Sequence, residues 1–112
     1  MAEMITTGTW IVNESKQEAF VDAWAAFAGW ASSMEGAGEL RLGRDGDDPN
    51  RFVSFGAWTS SEHVHAWKAN PDFRELMARV LQHVDEFHPI ELDVVASAND
   101  GHSAVSFPVS SK

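Results

Sequence analysis

The chain has 112 residues, 44% of them hydrophobic and 22% charged, the size and balance of one globular domain, which excludes wholesale disorder. Its net charge is −9, and the few basic residues are scattered without a stripe, which excludes nucleic acid and anionic membrane as partners. The absence of cysteine excludes a disulfide framework, a zinc–thiolate site and a Cys nucleophile. No leader-like start and no apolar run near the ~20 residues of a membrane span is visible, so the expectation is cytoplasmic. The five Trp and seven Phe, with no Tyr, are enough large rings to fill a core, line a pocket or form a subunit interface.

Met4 to Asn13 is rich in Ile, Thr, Val and Trp and reads as a strand, with Gly8 as its local weakness. Ser15-Lys16-Gln17-Glu18 fits a capping box that opens a helix. Along that helix Phe20, Trp24, Phe27, Ala31 and Met34 form one apolar stripe, and Glu35-Gly36-Ala37-Gly38 ends it. Glu39 to Arg44 alternates, with Leu40 and Leu42 opposite Arg41. Asp45-Gly46-Asp47-Asp48-Pro49-Asn50 is turn chemistry, and Arg51 to Trp58 completes a hairpin.

Thr59-Ser60-Ser61-Glu62 reads as a second capping box, opening a helix that runs to about Ala69. Asn70-Pro71 starts another, because Asn caps well and Pro suits the first helical position. Its stripe is Phe73, Met77, Val80 and Leu81, and Phe87 to Ala96 is the fourth strand. The polar stretch 97–112 reads as a tail, flexible or packed on a partner subunit, after a domain spanning 1–96. The order is β-α-β-β-α-β, an α+β ferredoxin-like fold with a four-stranded antiparallel sheet and helices on one face. Such a sheet leaves its other face bare, and a homodimer is the economical cover.

The stretch from Arg51 to Glu62, followed by His65-Ala66-Trp67-Lys68-Ala69-Asn70-Pro71-Asp72-Phe73, resembles the antibiotic biosynthesis monooxygenase domain. The pattern is a strand ending in Trp, then Ser-x-Glu, a helical Trp, and Pro-x-Phe; the likeness covers roughly residues 4–96. The resemblance implies a dimeric α+β barrel with a pocket between sheet and helices in each subunit. One branch of the family oxidises polycyclic phenols to quinones with O₂ and no metal or flavin. Another degrades heme, and further members have no established activity.

On that resemblance Trp67 is the first candidate pocket residue, with simple helix–sheet packing as its alternative. His63, four residues earlier, stands where the quinone-forming branch carries an Asn, and it is the candidate proton acceptor; the alternative is a solvent-facing His at a helix start. Trp58, Phe73, Met77, Phe27 and Trp24 are candidate substrate-binding residues. Arg41 joins them if its strand face meets the helices, where it would hold an anionic oxygen. Heme degradation is disfavoured: Met77 stands where that branch needs its axial His, and Gly8 where it needs an Asn. His83, Asp85, Glu86 and His88 match no strong ligand spacing and read as a solvated helix end, so no metal and no cofactor is expected. The expected function is cofactor-independent oxidation of an aromatic substrate, with a non-catalytic ligand-binding barrel as the alternative.

Overall fold

The computed structural model describes residues 3–98. Strand β1 (Met4–Ile11) leads through a 3₁₀ turn at Glu14–Lys16 into α1 (Gln17–Ala31). β2 (Ala37–Arg44) and β3 (Arg51–Trp58) form a hairpin, followed by α2 (Ser61–Ala69), α3 (Pro71–Leu81) and β4 (Glu86–Asp93). The antiparallel sheet runs β2-β3-β1-β4, the split arrangement expected from the sequence, with its second helical segment in two pieces. The tail from residue 99 onward lies outside the described residues.

Local chemistry explains the boundaries, with three corrections. Asn13, not Ser15, makes the first cap: its side chain accepts from the Ser15 amide, and no side chain caps the first residue of α1. Ser60, not Thr59, caps α2, accepting from the His63 amide. β2 begins two residues earlier than the alternation suggests, because a register irregularity between Ala37 and Leu40 lets the chain join the sheet before the alternation settles. The break at Asn70 is as expected. Its backbone is extended, its side chain accepts from the Asp72 amide, and Pro71 opens α3.

The hairpin loop is held by Asx turns. Asp45 accepts from the Asp47 amide at 2.8 Å and Asp48 from the Asn50 amide at 3.0 Å. The Arg51 guanidinium closes the loop on Asp45 at 2.8 Å.

Register then decides the two faces of the sheet. Met4, Gly8 and Trp10 of β1 and Phe52, Gly56 and Trp58 of β3 are buried, on the side that α1, α2 and α3 cover. The rings form two groups. Trp10 stacks on Phe87 at 3.9 Å and tilts against Phe20, which meets Phe52. Trp58 stacks on Trp67 at 4.5 Å, and Phe27 and Phe73 close around Trp67. Each fully buried ring of Phe size contributes about 2–3 kcal/mol. The opposite face, bearing Phe55, Ile90 and Leu92, is exposed.

Candidate active site

Between the two groups of rings lies a cavity of about 200 Å³. Trp10 and Phe87 wall one side; Trp24, Phe27, Trp67 and Phe73 wall the other, with Met77 and Leu40 between them. A larger hollow of about 360 Å³ lies beside Met4, Trp58 and Val94 at the end of the sheet. It is a more open surface depression and, among the described residues, brings no ionisable side chain besides Glu3, so the less open aromatic cavity is the better candidate for chemistry.

The cavity reaches down to the sheet because two glycines face each other diagonally there. Gly8 pairs with Ser54, and Gly56 with Thr6. A Cβ at Gly8 would sit 2.7 Å from the Phe87 ring and 3.2 Å from the Ser54 hydroxyl. A Cβ at Gly56 would sit 2.8 Å from the Thr6 hydroxyl. What reads in sequence as a weak point in β1 is therefore a steric requirement set from across the sheet.

The polar groups of the lining are few. Ser54 accepts from the Trp10 indole N–H at 3.0 Å, and Thr6 from the Trp58 indole N–H at 3.2 Å. Among the described residues Lys68 is the one ionisable lining residue, and it is ion-paired with Glu91 of β4. Trp67 is 4% exposed, and its indole N–H is buried without an acceptor among the described residues. A buried donor left unpaired costs about 1–3 kcal/mol.

Of the residues singled out in sequence, Trp67, Phe73, Met77, Phe27 and Trp24 all line this cavity. Three candidates do not. His63 sits at the third position of α2, where its ring nitrogen turns back to the Ser60 and Thr59 hydroxyls, each at 2.9 Å, and its ring packs on Gly36. The helical spacing to Trp67 is right, but the capping contacts take the side chain away from the cavity. Arg41 points to the bare face, beside Phe55, because Leu40 and Leu42 occupy the helix side of β2; it is paired loosely with Glu39. Trp58 stands behind Trp67 and acts through Thr6 rather than on the cavity itself.

Gly8 and Met77, the positions where the resemblance to heme degraders would call for an Asn and a His, both line the cavity, where Gly offers no side chain and Met only a thioether. On β4, His88 meets Glu86 at 3.2 Å on the surface. Among the described residues no three His, Asp or Glu side chains converge.

Sequence reasoning passed over Thr6, Ser54 and Lys68. A signal for the first two was present: Thr6-x-Gly8-x-Trp10 and Ser54-x-Gly56-x-Trp58 are one pattern written twice. Only the register shows that the two copies face each other.

The family model for antibiotic biosynthesis monooxygenases matches residues 4–79. No curated protein matches the sequence. Among solved structures, SnoaB of Streptomyces nogalater, a cofactor-independent oxygenase, is similar at a TM-score of 0.76 and 18% identity, over 87% of this chain and 97% of that one. A conserved protein of Methanosarcina mazei Go1 superposes as well, at a TM-score of 0.75 and 13% identity, over 82% of this chain and 92% of that one. At such identities the likeness is one of fold.

Proposed function

We propose a function from one premise: the chain belongs to the antibiotic biosynthesis monooxygenase family, and its cavity serves the oxidation of a small aromatic phenol by O₂ without a cofactor. The observation that carries the reading is the aromatic cavity lined by Trp67, whose buried indole N–H has no acceptor among the described residues. The kinship in fold with SnoaB, a cofactor-independent oxygenase, supports it.

The chemistry balances with the substrate as reductant. A phenol with a free para C–H, plus O₂, gives a para-quinone and water. The phenol first loses its O–H proton, and the electron-rich anion then reduces O₂. One oxygen atom ends as the new carbonyl, and the other leaves as water with the two hydrogens. The protein's part is to bind the ring between the aromatic walls, orient its oxygen and keep bulk water away. Trp67 would donate to the phenolate oxygen. Lys68, held by Glu91, would stabilise the anion at the cavity edge. Trp24, Phe27, Phe73 and Met77 would clasp the ring. At about 200 Å³ the space lies below the roughly 300–1,000 Å³ of drug-sized sites, so one- or two-ring phenols are the substrates of choice.

The test is O₂ uptake with 1-naphthol and substituted phenols in air, alongside the quinone absorbance. Uptake above the buffer rate is expected, and Trp67→Phe should lower it by about tenfold or more, the loss of one oriented donor. A flat trace across the panel removes the reaction. One observation favours a second reading, a non-catalytic aromatic binder: among the described residues Lys68 is the sole ionisable residue of the lining, and it is ion-paired with Glu91. Saturable binding without O₂ uptake would select it.

The working form we propose is a homodimer closed over the bare sheet face. Phe55, Ile90 and Leu92 are 51%, 54% and 44% exposed there. On β4 the apolar residues Ile90 and Leu92 point away from the helices while Glu91 and Asp93 point toward them. That pattern makes sense if the outer face is buried by a second copy.

A further inference from the structure

The floor of the cavity repeats one device about a local two-fold axis. On β1 the sequence is Thr6, Gly8, Trp10 at alternate positions; on β3 it is Ser54, Gly56, Trp58. The strands are antiparallel, with Thr6 opposite Gly56 and Gly8 opposite Ser54. Each hydroxyl thus lies across from a glycine, and each accepts from the tryptophan of the opposite strand, Ser54 from Trp10 and Thr6 from Trp58. The missing Cβ atoms keep the space above the hydroxyls open, since either one would press on a hydroxyl at 3.2 Å or 2.8 Å.

A hydroxyl has one hydrogen and two lone pairs. Here an indole N–H occupies one lone pair of each, and neither hydroxyl donates to an acceptor among the described residues. The remaining hydrogen is the group's natural offering to a ligand. An incoming hydrogen bond also polarises the O–H and strengthens its outgoing one, by roughly 10–30% in condensed-phase estimates. As diagonal cross-strand neighbours the two residues stand roughly 7–8 Å apart, somewhat less at their β-carbons, so they address two points of a ligand rather than one.

We infer that Thr6 and Ser54 are a pair of ligand-binding donors that select aromatic ligands carrying acceptor oxygens, ketone carbonyls or phenolates, over the same rings without oxygen. The inference rests on the reading of this cavity as an aromatic site, and it adds the floor residues and the acceptor class that the reading leaves open. It does not depend on turnover. The flat rings enter between the walls and their oxygens meet the floor.

Equilibrium dialysis with two probes of the same ring size tests this. 1,4-Naphthoquinone carries two acceptor oxygens and no donor; naphthalene carries neither. The wild-type chain should hold the quinone more tightly. Thr6→Val and Ser54→Ala should each weaken the quinone by about five- to tenfold, the loss of about one net hydrogen bond, and leave naphthalene unchanged. Thr6→Ser and Ser54→Thr keep the hydroxyl and its bond to the indole, and they should restore the preference. That separates the donor role from any disturbance of Trp58 or Trp10. Equal binding of both probes by the wild type, or equal losses for both in the variants, overturns the assignment while leaving an aromatic site in place. Failure of the wild type to bind either probe removes the aromatic site and this inference with it.

Discussion

Glycine substitutions separate what a residue contributes by itself from what its neighbours demand. Gly29 lies on the exposed side of α1, with nothing within 4 Å of the point where a methyl group would sit, so Gly29→Ala should raise stability by about 0.5–1 kcal/mol through helix propensity alone. Gly8→Ala carries the same chemical change onto the cavity floor, where the methyl meets Phe87 at 2.7 Å. It should lower stability by about 1–3 kcal/mol, as overpacking does. Urea unfolding reads both, and shifts of the same sign would refute the steric account of the floor. Sequence reasoning found Trp67, Phe73, Met77, Phe27 and Trp24 because a pocket in this fold is made of core residues, and helical stripes mark the core. It could not find the role of Gly8, because Phe87 and Ser54 reach it only through pairing across the sheet. It assigned His63 by spacing, and spacing is blind to the two hydroxyls that hold the ring at the helix start.

At the scale of elements, turn and cap chemistry was the most legible layer. The six-residue hairpin loop and the Asn70-Pro71 break stand where the sequence puts them. The face of a short strand was not legible: Arg41 alternates with two leucines whichever way β2 lies, and only pairing with β3 settles it. The loop makes its own prediction. The amide of Asp47, and then the Arg51 guanidinium, hold the Asp45 carboxyl below its ordinary value. The folded loop therefore resists protonation of Asp45 more than the unfolded chain does. Its contribution to stability is complete above about pH 4, the unfolded value for Asp, and is lost as the pH falls through the lower folded value. Asp45→Asn keeps the Asx turn and removes the charge. The variant should unfold at lower urea than the wild type at neutral pH, and the two midpoints should converge as the pH falls below the ordinary Asp value and through the lower folded one. A gap of equal size at neutral and at acid pH would show that charge is not what the loop uses.

For the whole molecule, the sheet's outer face is where sequence and fold pull in opposite directions until a second copy is added. A chain of net charge −9 gains solubility from self-repulsion and loses affinity for itself by the same field. Yet that face carries Phe55, Ile90 and Leu92 uncovered, and a four-stranded face is on the scale of the roughly 800 Å² per partner of a standard interface. If two copies close over it, apolar burial drives association and long-range repulsion opposes it. Salt screens the second and spares the first, the screening length shrinking from about 10 Å at 0.1 M to about 3 Å at 1 M. Sedimentation should therefore find a dimer whose dissociation constant falls as salt rises, the reverse of an interface held by ion pairs. Phe55→Lys combined with Ile90→Lys places four extra cations in a desolvated interface, two from each copy, and should give monomers that keep the wild-type helical spectrum. A wild-type chain that sediments as a monomer at tens of micromolar, or a dimer that salt loosens, would mean that the bare face is covered by something other than a second copy.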